Sequence, residues 1–207
     1  MMRKLVYYIA ASIDGRIAGP RGEADFFPVG QGEDAAAYMN WVNERYPETV
    51  PTQYRSAVGL EGLPNRRFDT VVMGRNTYQL GLDQGVTSPY AHLRQYVVSS
   101  AMARIDDPAV TLVRDASALV RQLKDEDGLD IWLCGGGRLA GSLLPEIDQL
   151  ILKRYPVIAG AGPALVDGDF NPALFTRTDH RSFANGSSIT WYDKEASPGA
   201  GEIPLAR

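Results

Sequence analysis

Apolar and polar positions change period several times along the chain, and the changes mark its elements. Residues 5–11 (L-V-Y-Y-I-A-A) form an unbroken apolar run of β-prone residues, the pattern of a strand buried on both faces. Segments 68–73, 96–98, 110–113 and 131–134 repeat it in shorter form, and 149–155 is a further strand. Between them the period becomes helical. Ala35, Tyr38, Met39 and Val42 share a face within 34–44. Ala116, Leu119, Val120 and Leu123 share another, behind a cap at Asp115 or Ser117 and before a stop at Gly128. Segments 181–184 and 187–192 flank Asn185-Gly186, a strong hairpin signal. From residue 47 to 67 no period is sustained, and this connection is expected to be a lid or substrate loop. Strands and helices thus alternate to residue 155 before the hairpin. This predicts an α/β domain with a mixed, mostly parallel sheet, helices on both faces and an antiparallel edge. The domain is expected to span 1–193, with a loose tail over 194–207.

The stretch 131–144 (I-W-L-C-G-G-G-R-L-A-G-S-L-L) organises the rest. A short buried strand breaks through Gly135, Gly136 and Gly137 into a helix over 138–144. Such a break leaves backbone N–H groups free at a helix start, where a phosphate can approach unobstructed by any Cβ. Arg138 adds a cation. The expectation is a pyrophosphate cradle for a nucleotide cofactor. Gly135, Gly137 and Ala140 also satisfy G-x-G-x-x-G/A, but that fingerprint belongs in a first βα turn with further βα units behind it. Here it arrives two-thirds of the way along, so the Rossmann label does not apply.

Composition narrows the function classes. Apolar residues at 44% and charged residues at 22% are ordinary for a soluble globular protein. A net charge of −4 provides no general basic surface, which argues against nucleic acid as a partner. One cysteine, Cys134, excludes an internal disulfide, and two distant histidines, His92 and His180, make a zinc site unexpected. The N-terminal apolar run is too short and too polar for a signal peptide or membrane span, so a cytoplasmic protein without membrane association is expected.

Three predicted strand ends carry related chemistry: Gly74-Arg75-Asn76-Thr77, Ser99-Ser100 and 135–138 each offer backbone donors, hydroxyls or a guanidinium. In open α/β sheets that edge binds ligands. Two separated groups of anion donors suit NADPH, with its pyrophosphate and 2′-phosphate.

The chain resembles the dihydrofolate reductase superfamily, and within it the reductase domain of riboflavin biosynthesis (RibD C-terminal type). The matching residues are I-A-A-S-I-D-G-R-I-A at 9–18, V-V-M-G-R-N-T-Y at 71–78, Y-V-V-S-S at 96–100 and C-G-G-G-R-L at 134–139. The resemblance implies a three-layer sandwich with an eight-stranded sheet, NADPH as hydride donor, a small heterocyclic substrate and a homodimer. It places Ala11 and Ala18 against the nicotinamide through their backbone. Gly74, Arg75, Asn76, Thr77, Ser99, Ser100, Arg138 and Leu139 fall on the adenosine-phosphate side, and Gly135, Gly136 and Gly137 on the pyrophosphate. Departures from the family are Cys134, where an acid usually precedes the glycines, and Arg16, where lysine is frequent. No H-x-E with P-C-x-x-C, the deaminase signature, occurs in the chain. The proton source is expected to be Asp14, Asp34 or a bound water. Asp34 also reads as a helix N-cap, Asp14 as a turn residue and Cys134 as a small core side chain. The activity expected is that of 5-amino-6-(5-phosphoribosylamino)uracil reductase. The alternatives are dihydrofolate reductase and an NADP(H)-binding protein without turnover.

Overall fold

The apolar run near the N-terminus becomes a central strand. A computed structural model describes residues 2–195. In chain order its elements are β1 (Leu5–Ala11), α1 (Gly32–Arg45), α2 (Thr52–Arg55), β2 (Phe68–Gly74), α3 (Arg75–Leu82), β3 (Arg94–Val98), β4 (Val110–Val113), α4 (Ala116–Lys124), β5 (Asp130–Gly135), α5 (Gly137–Ser142), β6 (Gln149–Arg154), β7 (Phe175–Ser182) and β8 (Ser188–Lys194). One sheet has the order β4-β3-β2-β5-β1-β6-β8-β7. Strands β1 to β6 run parallel, and β8 then pairs antiparallel with both β6 and β7. The result is the expected dihydrofolate-reductase-like α/β fold.

The alternation of strand side chains divides the core in two. On one face Val6, Tyr8, Val71, Met73, Trp132 and Ile151 pack against Tyr38 and Val42 of α1. On the other Leu5, Tyr7, Val72, Ile131 and Leu133 pack against Val120 and Leu123 of α4 and Leu139 and Ala140 of α5. Burial on both sides explains why β1 reads as continuous hydrophobe rather than as an alternating strand. Among the described residues no helix is long and apolar enough to cross a membrane, and no cluster of three metal-ligating side chains occurs.

Several local expectations shift. Helix α1 starts at Gly32 behind Gln31, so Asp34 lies inside the first turn and is not the N-cap. Met39 is 37% exposed, which leaves Ala35, Tyr38 and Val42 as the buried stripe. Asp115 caps α4 by accepting from Ala118 N–H. The helix ends at Lys124, before Gly128. Strand β7 begins six residues earlier than the hairpin signal suggested, at Phe175. It is an edge strand exposed on both faces, so no apolar alternation marks it. Lys194, assigned to the tail, completes β8, and residues 196–207 lie outside the described residues.

The connection 47–67 is a fixed brace. It contains α2 and two one-turn 3₁₀ helices, Pro47–Thr49 and Ser56–Val58. The fully buried Glu48 carboxylate accepts from the N–H groups of Arg66 (3.2 Å), Arg67 (2.8 Å) and Phe68 (2.8 Å). Buried Arg55 donates to the carbonyls of Pro47, Leu60 and Leu63. The charged side chains of this segment thus satisfy its own buried backbone, which ties down the connection read as a lid or substrate loop.

Candidate active site

Strands β1 and β5 are ladder partners only from Leu5↔Ile131 to Tyr7↔Leu133. Beyond that point β1 stays with β6 as far as Ala11↔Arg154, while β5 stays with β2 as far as Met73↔Gly135. The sheet therefore opens between two central strands at their C-terminal ends. Backbone groups of successive strand residues point to opposite sides. Lys4 carbonyl accepts from Ile131 N–H, which turns the even-numbered residues of β1 toward β5. Tyr8 carbonyl, which has lost its strand partner, accepts from the Trp132 indole at 3.0 Å. Ala10 is the next in that series, and its N–H and carbonyl turn into the opening. Ala11 does not: its carbonyl accepts from Tyr155 N–H on the β6 side. Strand alternation, invisible to motif matching, thus turns the backbone of Ala11 toward β6 and that of Ala10 toward the opening.

Glycines line the wall opposite. A methyl group built on Gly74 would lie 3.4 Å from Gly135 O and from Gly136 N. The ends of β2 and β5 thus touch through backbone alone. Gly135 has φ 132°, a conformation that side-chain-bearing residues rarely adopt, and is joined to Gly136 by a cis peptide bond. A methyl on Gly136 would meet nothing closer than Ile17 Cδ1 at 3.9 Å and Thr77 Oγ1 at 4.0 Å, so its surroundings are open. Gly137 differs. A methyl there would fall 2.1 Å from Ala164 O, and one on Gly141 would fall 2.2 Å from Asp167 O. These two glycines admit the 164–168 segment, tied down by Asp167 N–H to Gly137 O and by Tyr7 hydroxyl to Leu165 O. Of the three glycines expected to form a cradle, Gly135 and Gly136 have open surroundings and Gly137 lies against residues 164–168.

The remaining sequence candidates separate by environment. Arg75 and Asn76 are exposed in the first turn of α3, with Thr77 half-buried beside Gly135. Among the described residues neither Arg75 nor Asn76 makes a side-chain hydrogen bond or ion pair. Ser99 is buried, and its hydroxyl accepts from Ala101 and Met102 N–H to close a turn, so it is not free for phosphate. Ser100 beside it is exposed. Arg114 donates to the carbonyls of Ser99 and Met102, which brings to this corner a cation that no motif marked. The Arg138 side chain is 93% exposed and 3.4 Å from Asp167. The Leu139 side chain belongs to the core, which removes it as a side-chain contact. Ala18 is half-buried in the loop after β1, where its carbonyl lies against Gly162.

Neither carboxylate candidate is placed to donate a proton. Asp14 accepts from the Ser12 hydroxyl (2.6 Å) and from Ala159 and Gly160 N–H (2.9 and 2.8 Å). These bonds, that of Ser12 foremost, hold its carboxyl at about 2, so it stays ionised and fastens the turn at 159–160. Asp34 is exposed, because it precedes the buried Ala35 by one residue and so projects about 100° away from the sheet. The buried residues of α1 are Ala35, Tyr38, Val42 and Asn43, with no acid among them.

The α1 side of the opening carries residues that motif reading passed over. Ala10, Cys134 and Lys153 lie near the C-terminal ends of β1, β5 and β6 and remain half-buried, although their strands occupy the middle of the sheet. Burial pushes the Cys134 thiol up to about 12 and keeps it neutral. Lys153 Nζ stands 4.3 Å from the Tyr8 ring centroid, and burial lowers its amine to about 8. Tyr90 packs edge-on to Trp132 at 4.9 Å and lies against Cys134. A signal for Lys153 was present in the sequence: a charged residue between Ile151 and Tyr155, at a position whose neighbours two away on the strand are core.

Comparisons with known proteins agree with this geometry. The family model of the RibD C-terminal domain matches residues 3–189. The uncharacterized protein YwjB of Bacillus subtilis is 32% identical over 165 residues, which cover 78% of this chain and 82% of that protein. A putative riboflavin biosynthesis protein from Shewanella sp. PV-4 superposes with a TM-score of 0.64 at 23% identity, covering 95% of this chain and all of that one. Dihydrofolate reductase from Enterococcus faecalis, solved with NADP(H) and RAB-propyl, gives 0.65 at 13% identity, again over 95% of this chain and all of that one. The family model covers residues 3–189, nearly the whole sheet, and this chain is a member of the RibD C-terminal domain family.

Proposed function

We propose that the protein is an NADPH-dependent reductase that delivers hydride to a small heterocycle held in the opening between β1 and β5. Its proposed chemistry is like that of 5-amino-6-(5-phosphoribosylamino)uracil reductase. The carrying observation is the end of the β1–β5 ladder at Tyr7↔Leu133. It frees the backbone of Ala10 on one side and leaves the open approach to Gly136 on the other. A flat carboxamide-bearing ring suits the first and a pyrophosphate the second. When bound, the cofactor supplies the hydride; the chain's own residues orient and enclose. Gly74, Gly135 and Gly136 would receive the pyrophosphate, and Arg75, Asn76, Ser100 and Arg114 stand where a 2′-phosphate would lie. With Asp14 held ionised and Asp34 turned outward, the proton is assigned to water reaching the half-buried strand ends. The acid-free buried face of α1 disfavours folate reduction. It also lends support to the second reading, a nucleotide-binding protein without turnover.

The test is calorimetric titration with NADPH and NADH, followed by a screen of NADPH oxidation against dihydrofolate and the phosphoribosylamino-pyrimidine. Charge-assisted hydrogen bonds contribute about 1.5–3 kcal/mol each, so NADPH should bind roughly tenfold or more tighter than NADH. Equal dissociation constants overturn the cofactor assignment. Tight binding with no oxidation across the screen selects the second reading. The proposed assembly is a homodimer, to be read from sedimentation equilibrium, and the proposed location is the cytoplasm.

A further inference from the structure

A lysine ammonium has three N–H donors and ordinarily spends them on carboxylates, carbonyls or water. Lys153 spends none on another described residue. Its neighbours are the face of Tyr8 from β1 and Cys134 from β5 with Tyr90 behind it, and Tyr155 lies two residues on along its own strand, packed edge-on to Tyr38 of α1. None of these carries a negative charge at neutral pH: burial raises the phenols of Tyr8, Tyr38, Tyr90 and Tyr155, and raises the Cys134 thiol. The ring face of Tyr8 attracts the cation but accepts no conventional hydrogen bond. Lys153 is half-buried: it belongs to β6, between β1 and β8 in the sheet and opposite Ala10 of β1. Its ammonium over the Tyr8 ring is left open to solvent or a ligand near the point where β1 and β5 part.

We propose that Lys153 is the specificity-determining cation of the substrate pocket, taking a carbonyl or enolate oxygen of an oxo-substituted heterocycle and rejecting protonated amino-heterocycles. This assignment rests on the opening being the substrate site and deepens the reductase reading by naming the substrate's chemical class. The preference follows from the charge of the wall. An acceptor oxygen takes up the donors that Lys153 spends on no other side chain, and an anionic one also pairs with its charge. A cationic ring would face an ammonium with no carboxylate to offset it. Lys153 is a binding residue here, and no proton transfer is assigned to it.

Two probes of similar size separate the alternatives. Barbiturate is an anion across neutral pH and presents three ring oxygens; 2,4-diaminopyrimidine is a cation at slightly acidic pH and presents amino groups. Each is titrated without cofactor into wild type, Lys153→Met and Lys153→Arg, with a thermal melt of each variant. Methionine keeps the stem and removes the charge, so both variants are expected to fold. Barbiturate should bind wild type at least tenfold more tightly than Lys153→Met. Its affinity for wild type should fall as pH rises through about 8, where the amine loses its proton. Lys153→Arg should hold barbiturate with no such fall, because guanidinium stays charged. The diaminopyrimidine should bind no better to wild type than to Lys153→Met. Equal, pH-independent barbiturate affinity in wild type and folded Lys153→Met overturns the proposal, as does failure of barbiturate to bind wild type at millimolar concentration. NADPH is titrated into wild type as a separate check on the cofactor reading. A wild type that binds barbiturate as expected but no NADPH defeats the cofactor reading and leaves this one standing.

Discussion

Gly136 and Gly137 are adjacent and identical in sequence, yet the structure assigns them different work, and substitution should separate the two. A methyl at Gly137 would come within 2.1 Å of Ala164 O, a backbone atom that cannot rotate away. Relieving the overlap means moving the 164–168 segment by more than 1 Å on the scale of ordinary van der Waals contact. That displacement strains the bond from Asp167 N–H to Gly137 O (3.0 Å) and the bond from Tyr7 hydroxyl to Leu165 O (2.8 Å). Strain that removes about 1 kcal/mol from the two bonds together, added to about 1–3 for overpacking, puts the cost of Gly137→Ala at about 2–4 kcal/mol. For a domain of this size that corresponds to a fall in Tm of roughly 4–16 °C. Gly136→Val should behave in the opposite way. Its φ of −92° and ψ of −169° are extended and open to any residue, and the nearest side chains lie at 3.9 Å or beyond. The variant should melt within a few degrees of wild type but lose at least tenfold in NADPH affinity, because its methyls occupy the pyrophosphate approach. Thermal melts and NADPH titrations of both variants complete the comparison. If Gly137→Ala melts like wild type, the close approach of Ala164 is not what requires glycine there. If folded Gly136→Val binds NADPH normally, the glycine wall is a turn and not a cradle.

Glu48→Ala strands three N–H groups around a fully buried site and should cost about 3–5 kcal/mol in urea denaturation. A loss below about 1 kcal/mol would show that 47–67 is not braced by this carboxylate. Cys134→Ser should keep NADPH oxidation within about tenfold of wild type and cost about 1 kcal/mol of stability. In wild type the neutral thiol should resist alkylation at neutral pH, and fast modification would contradict its burial. The folded-state pKa of Asp14 is depressed from 3.8 to about 2, so its stabilisation is complete above the unfolded value and disappears as pH falls from 3.8 through about 2. Asp14→Asn should therefore show a shallower loss of Tm across that acid interval, and parallel acid limbs would refute the assignment. Arg75→Ala should weaken NADPH about tenfold while leaving NADH unchanged; equal losses for the two would move the 2′-phosphate contact elsewhere, with Arg114 next to test.

Local chemistry explains what was legible in the sequence. The continuous hydrophobe of residues 5–11 required a strand buried on both faces, and β1 lies between β5 and β6. Glycines after a short apolar run required a break at a strand end, and Gly135 with its positive φ stands there. Asn185-Gly186 required a turn between antiparallel strands, and Gly186 has φ 82° in it. Periodicity and turn preference depend on neighbours a few residues away, so one sequence suffices to read them. Whatever depended on a distant segment was not readable. Gly136 and Gly137 became distinguishable only when residues 164–168 were seen against one of them. Asp34 reads as an acid near a helix start until the phase of α1 against the sheet turns it outward. Asp14 reads as a turn residue or an acid until the turn at 159–160 takes its oxygens. Ala10 rather than Ala11 turns its backbone into the opening because hydrogen bonding to β6 at one residue sends the next toward β5, and only the register states where that partner stops. In the sequence Lys153 is a charge at the end of an apolar run. Its chemistry comes from the Tyr8 ring beneath it and from the missing carboxylate around it, contributions from strands that lie far away in sequence and meet only in the folded sheet.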